Sequence, residues 1–167
     1  MGWDRGYSYE YLAELLLRYY RRCRTAKCKC IVSVYLIQLR NGSRVSEARR
    51  AYECFLAKRA AECTVPLSKS TGRTRLMIFP SEYLSFSEFC ELCTGYAPSI
   101  STLKSYIKNA VKRDLNTHTL RYAYITHLLR YGVNPSIVAK ITGHTELNTI
   151  LTYTQTKHAE EVLRTLG

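Results

Sequence analysis

The chain has 167 residues, enough for one ordinary domain with a real core. Its apolar share of 46 % is within the globular range, and no unbroken apolar run approaches the roughly 18 residues of a membrane span. The net charge of +12, from 25 basic and 13 acidic side chains, points to a polyanionic partner, either nucleic acid or an acidic membrane surface.

The start, Met1-Gly2-Trp3-Asp4-Arg5-Gly6, lacks the basic-then-apolar layout of a signal peptide, so an intracellular protein is expected. Ser8 can cap a helix over about 9–24, with Leu12, Leu15, Leu16, Tyr19 and Cys23 on one face and Arg18, Arg21, Arg22 and Arg24 on the other. Cys30 to Leu39 is more apolar and reads as a buried helix, stopped by Asn41-Gly42. A third helix runs from about Ser46 to Ala60. Thr64–Lys69 and Arg75–Phe79 flank Ser70-Thr71-Gly72-Arg73 as a β-hairpin, with Pro66 marking an edge strand.

Ser85-Phe86-Ser87-Glu88 is a capping box for a helix to about Thr94, stopped by Gly95. Helices follow near 101–113, 118–131 and 135–142, the last opened by Asn134-Pro135 and closed by Gly143. Two final helical stretches are expected at 146–153 and 157–166. The expected fold class is mainly α with one small antiparallel β-sheet, and no stretch reads as an interdomain linker.

Seven cysteines are many for an intracellular chain. Cys90-Glu91-Leu92-Cys93 is a CxxC, but helical i,i+3 spacing already accounts for it. Cys28 and Cys30 are wrongly spaced for a common zinc site. Buried free thiols come first, disulfides second, and no metal is expected. Intracellular disulfides would hint at a hyperthermophile.

The chemistry lies in an ordered set: Arg44, Lys69, His118, Arg121, His144 and Tyr153, the last nine residues after His144. Attack on a phosphodiester builds charge at phosphorus, so fixed cationic donors are needed around its non-bridging oxygens. Arginine supplies a planar fork that stays charged. His118 and Arg121 are three apart and share one helix face. A tyrosine hydroxyl is a poor nucleophile near neutrality, with an ordinary pKa of about 10, and needs such a pocket. Taken singly, each residue has an ordinary alternative. Arg44 reads as a helix-start surface residue, Lys69 as a solvated turn lysine, His118 as a cap and His144 as a turn histidine. Arg121 reads as a partner of Glu47, and Tyr153 is one of 14 tyrosines. Arg73, Arg75, Lys104, Lys108 and Lys112 are candidate contacts to a DNA backbone.

In sequence, Thr117-His118-Thr119-Leu120-Arg121 with Thr126-His127-Leu128-Leu129 resembles the HxLRH…THLL segment of the tyrosine recombinases, the integrase and Xer family. Thr142-Gly143-His144 through Tyr153 resembles its LGH…Y segment. Asn41-Gly42-Ser43-Arg44-Val45-Ser46-Glu47 resembles TGLRxSE, and Ser68-Lys69-Ser70-Thr71-Gly72 resembles the lysine hairpin. The match spans roughly residues 8–166, with Ser43 in place of the usual leucine and Tyr122 in place of a histidine.

The resemblance implies the family's catalytic-domain fold and a metal-free, cofactor-free reaction. Tyr153 would form a 3′-phosphotyrosyl link, and Arg44 and Arg121 would clamp the phosphate. Lys69 would protonate the leaving 5′-oxygen, His118 would assist proton transfer, and His144 would hydrogen-bond the phosphate. The implied partners are a double-stranded DNA attachment site and, on DNA, three further copies in a homotetramer, the free protein being a monomer. The final helix, His158 to Leu166, docks either on a neighbouring protomer or on its own domain. The family's N-terminal DNA-clamping domain has no match here, so the whole chain, 1–167, is expected to be a catalytic domain. A type IB topoisomerase and a non-cutting DNA-binding regulator are the alternatives.

Overall fold

A computed structural model describes residues 6–144, 148, 150 and 156–166. Tyr153 and the helix expected over 146–153 fall outside these apart from Asn148 and Ile150.

The first three helices build the frame. α1 (Tyr9–Arg22) is capped by Ser8, whose hydroxyl accepts from the Tyr11 N–H at 3.1 Å. It buries Leu12, Ala13 and Leu16 and leaves its arginines outward. α2 (Ala26–Asn41) is buried along nearly its whole length from Cys30 to Leu39, as its apolar sequence demands. It starts four residues before the expected Cys30, because Thr25 provides a cap to the Cys28 N–H. α3 (Val45–Lys58) follows after one tight turn.

β1 (Glu62–Pro66) and β2 (Thr74–Ile78) form an antiparallel hairpin with Val65 opposite Arg75 and Pro66 opposite Thr74. Both strands begin earlier than expected. Regular pairing stops at Pro66, which has no N–H, and Leu67 closes the hairpin base by donating to the Arg73 carbonyl at 2.9 Å. α4 (Phe86–Cys93) and α5 (Ile100–Tyr106) complete the first side. The helix expected to continue to 113 instead widens into a π-helical turn, Ile107–Val111, closed by Lys112 N–H on the Ile107 carbonyl at 2.9 Å. α6 (Thr117–Arg130), α7 (Pro135–Thr142) and α8 (Thr156–Thr165) finish the described chain.

One continuous core joins α1–α6 and the hairpin. Its centre is Phe79, ringed by Phe55, Phe86 and Phe89 at centroid distances of 5.7, 5.0 and 4.9 Å. The contacts to Phe55 and Phe86 are edge-to-face and add to simple burial. A smaller cluster of Tyr122, Ile125, Val138, Ala139 and Ile150 holds α7 against α6.

The expectation of free thiols is overturned for six of the seven cysteines. Disulfides join Cys23 to Cys28, Cys30 to Cys93 and Cys54 to Cys63, and Cys90 alone is free and buried. The α1–α2 turn, the packing of α2 on α4 and that of α3 on β1 bring the Cα atoms of these pairs to 5.6, 5.6 and 6.3 Å, a proximity that linear spacing does not carry. The CxxC cysteines divide accordingly: Cys93 turns to α2, while Cys90 does not pair.

Candidate active site

The cationic residues converge where the C-terminal end of α2, the hairpin base, α6 and the end of α7 meet. Arg121 is the centre. It is only 1 % exposed, an unusual state for an arginine. One guanidinium nitrogen donates to the carbonyls of Gly42 at 3.0 Å and Thr142 at 3.5 Å. The other lies 3.2 and 3.0 Å from Nδ1 and Nε2 of His144. The Arg121 fork therefore ties the α2–α3 turn to the α7 terminus, and both motif halves meet on it.

Two glycines make that meeting sterically possible. Gly42 has φ 57°, and a Cβ there would sit 2.3 Å from Cδ1 of Tyr124 on α6. Gly143 has φ 80°, and a Cβ would sit 2.4 Å from Cδ2 of Leu67 at the hairpin base. Any other residue would also be strained at such φ values.

Arg44 is the N-cap of α3, half-buried, with its side chain 3.4 Å from Glu47. Glu47 is wholly buried and acts as a hub. Its carboxylate accepts from the N–H of Arg44 at 3.2 Å and of Ser68 at 3.0 Å, and stands 3.9 Å from the Arg75 guanidinium. Ser46 and Ser68 are also hydrogen-bonded through their hydroxyls. These bonds fix the backbone immediately before Lys69 to the start of the Arg44 helix. Lys69 itself is exposed in the hairpin loop.

Glu47 is thus not the partner of Arg121 that its charge suggested; it holds Arg44 and Arg75. Its i,i+3 spacing from Arg44 was the available signal. Arg75 requires a correction. Expected as a DNA-backbone contact, it is 5 % exposed and turned inward, donating to the Asn41 carbonyl at 2.5 Å. The alternation along β2 puts Arg75 and Met77 on the core face. Its Nε and Nη1 are buried without hydrogen-bond partners among the described residues. Burial pulls its pKa down to about 10, against the raising effect of Glu47 and with the further lowering of Arg121 and Arg44. Arg73, Lys104 and Lys108 are exposed, as a surface contact requires, while Lys112 pairs with Asp114 at 3.9 Å and lies over the Tyr7 ring.

The two histidines enter as neutral rings. For His144, desolvation pushes the pKa down to about 3, helped by Arg121, Arg44, His118 and Arg75. His118, at the start of α6, is open to solvent on one side. Partial desolvation of its ring against the site, then Arg121 and Arg44, lower its pKa. Such a set can hold a phosphodiester oxygen pair between arginine donors, with neutral imidazoles beside it. Among the described residues, no cluster of His, Cys, Asp and Glu is arranged to hold a metal ion. No described helix is long and apolar enough to cross a membrane.

This fold, with a buried arginine-histidine site at the junction of four elements, is that of a tyrosine recombinase catalytic domain. The chain belongs to the phage integrase family, whose sequence model matches residues 56–160. It is 39 % identical over 137 residues to a putative integrase, ORF241, of Acidianus two-tailed virus, covering 81 % of this chain and 56 % of that protein. A tyrosine recombinase of Thermosipho africanus is 48 % identical over 52 residues, 30 % of this chain and 18 % of that one. The crystal structure of XerA recombinase superposes with a TM-score of 0.68 over 93 % of this chain and 61 % of its own, at 20 % identity, a likeness of fold. The chain spans about half the length of the viral relative.

Proposed function

We propose that this chain is the catalytic domain of a site-specific DNA recombinase, integrating or excising a mobile element by metal-free strand cleavage and rejoining. The supporting observation is the convergence of Arg121, Arg44, His144 and the buried Arg75 on one point, tied by Glu47 to the hairpin that carries Lys69. The family match over residues 56–160 supports the same reading.

Tyr153 attacks the scissile phosphate and forms a 3′-phosphotyrosyl bond as the phosphorus–oxygen bond to the 5′-carbon side breaks. Arg121 and Arg44 hold the non-bridging oxygens, His144 lies against them, and His118 assists proton transfer. Lys69 protonates the leaving 5′-oxygen. The covalent bond conserves the energy needed for rejoining, so no nucleotide cofactor is consumed. The partner is a double-stranded attachment site inside a cell, bound with strong salt dependence through exposed Arg73, Lys104 and Lys108, with a lesser contribution from Lys112. Four protomers act on two duplexes, and free protein is a monomer. Leu163 on α8 and Leu166 just beyond its end are 75 and 82 % exposed, an apolar edge suited to a neighbouring protomer. Within the chain, α8 also reaches its own domain through Arg130 and Glu161 at 3.6 Å.

Two labelled attachment-site duplexes test the reading. Exchanged strands are expected, with DNA binding retained and exchange lost in Tyr153→Phe. Relaxation of supercoils without exchange would point to topoisomerase chemistry, and unchanged behaviour of Tyr153→Phe to a non-cutting regulator.

A further inference from the structure

Thr142 stands two residues before His144, where the resembling family motif has leucine, and it is fully buried. Its hydroxyl touches three groups. It lies 2.8 Å from the Val138 carbonyl, 3.5 Å from the Ala139 carbonyl and 2.6 Å from Nδ1 of His144. A hydroxyl has one hydrogen, and a carbonyl can only accept. With that hydrogen on the Val138 carbonyl, the short contact to His144 is an Nδ1–H donating to the threonine oxygen.

Arg121 carries donors only, and one of its nitrogens lies 3.2 Å from Nδ1 and 3.0 Å from Nε2 of His144, so the arginine bridges both ring nitrogens and the choice of tautomer falls to Thr142.

We infer that Thr142 is a positioning residue that fixes His144 in the Nδ1–H form, so that Nε2 enters the reaction as a proton acceptor. This rests on the recombinase reading for its consequence, though not for the tautomer itself. When a phosphate takes over the Arg121 donor, the Nε2 lone pair faces an anionic oxygen and attracts a proton. The attacking Tyr153 hydroxyl supplies it, with His118 assisting the transfer. The tyrosine O–H bond breaks, its oxygen bonds phosphorus, and the phosphorus–5′-oxygen bond breaks. Lys69 protonates the departing oxygen. His144, now an imidazolium, donates Nε2–H to a non-bridging oxygen and keeps Nδ1–H on Thr142. Among the described residues, the groups facing the ring are Arg121 and His118 from α6, Arg44 at the N-cap of α3 and Arg75 from β2, and burial together with them keeps the free ring neutral.

Two-bond proton–nitrogen spectra of the ¹⁵N-histidine-labelled, DNA-free protein test the inference, with His144 assigned from its loss in His144→Gln. The Nδ1–H tautomer is expected in the native protein and in Thr142→Ser. A shift toward the other tautomer is expected in Thr142→Val. A native Nε2–H ring, or a Thr142→Val ring with the native tautomer, overturns the inference. The native spectrum decides even if Thr142→Val does not fold. In covalent-adduct assays, Thr142→Val should move the acid limb of the pH–rate profile while Thr142→Ser restores it, and a limb unmoved in Thr142→Val also overturns it. Failure of the native protein to form any adduct would refute the recombinase reading and leave the spectral result standing.

Discussion

Glu47 sits among charges whose removal can be weighed. Its wholly buried carboxylate accepts two backbone N–H groups, at 3.2 and 3.0 Å, and faces Arg44 at 3.4 Å and Arg75 at 3.9 Å. Glu47→Gln keeps the volume but turns one oxygen into a donor aimed at other donors. It also leaves Arg75, 5 % exposed, as a buried charge without its counter-ion. Breaking a buried pair in this way costs about 3–5 kcal/mol. For a domain of this size, that lowers the melting temperature by about 10 °C. Arg75→Met removes the cation and leaves Glu47 with Arg44 and both backbone donors, so it costs less, about 1–2 kcal/mol. The double variant lacks the uncompensated arginine. It should therefore be more stable than the sum of the singles by about 2 kcal/mol. Urea unfolding of the four proteins measures the cycle. Additive effects, or a Glu47→Gln loss below about 1 kcal/mol, would refute the hub described for Glu47.

Gly42→Ala should cost about 2–4 kcal/mol, from left-handed strain plus the Cβ contact with Tyr124, and equal stability by urea unfolding would contradict that close approach. The His144 pKa is lowered in the folded state, so the unfolded chain binds the proton first. Stability linked to His144 is intact above about pH 6.5 and is lost as pH falls toward 3, with a slope of at most about 1.4 kcal/mol per pH unit. Urea midpoints between pH 7 and 4 should therefore fall more steeply for the native protein than for His144→Gln. Under denaturing, non-reducing conditions a thiol titration should find only Cys90, and seven reactive thiols would contradict the three disulfides. Joined residues 63 apart, Cys30 and Cys93 contribute about 4 kcal/mol by loop-entropy arithmetic, so their double serine variant should melt about 10 °C lower.

The helices were legible because each carries its own start and stop. Ser8, Ser85 and Asn134 cap where their side chains predict, and Gly42 and Gly143 stop helices with positive φ. The ordered arginines and histidines could be read for the same reason, since their spacing within short motifs survives folding. Arg75 and the cysteines could not. Whether a strand arginine points to solvent or to the core depends on register and on a buried carboxylate 28 positions earlier in the chain. Which cysteines meet depends on how α2 packs on α4. The shortened α5 has a related cause: its hydrogen-bonding frame changes at Ile107, where a single wide turn ends the helix. Thr142 was hidden because its meaning comes from a ring two residues on and a guanidinium from another helix.

Covalent trapping on DNA is the most direct measurement. The protein is incubated with nicked duplex carrying its attachment site, in EDTA, and denatured. A protein–DNA adduct that forms without metal, maps to Tyr153 and disappears in Tyr153→Phe is the predicted result. Tight DNA binding with no adduct on any such substrate, or an adduct that persists in Tyr153→Phe, would contradict a tyrosine-based recombinase site.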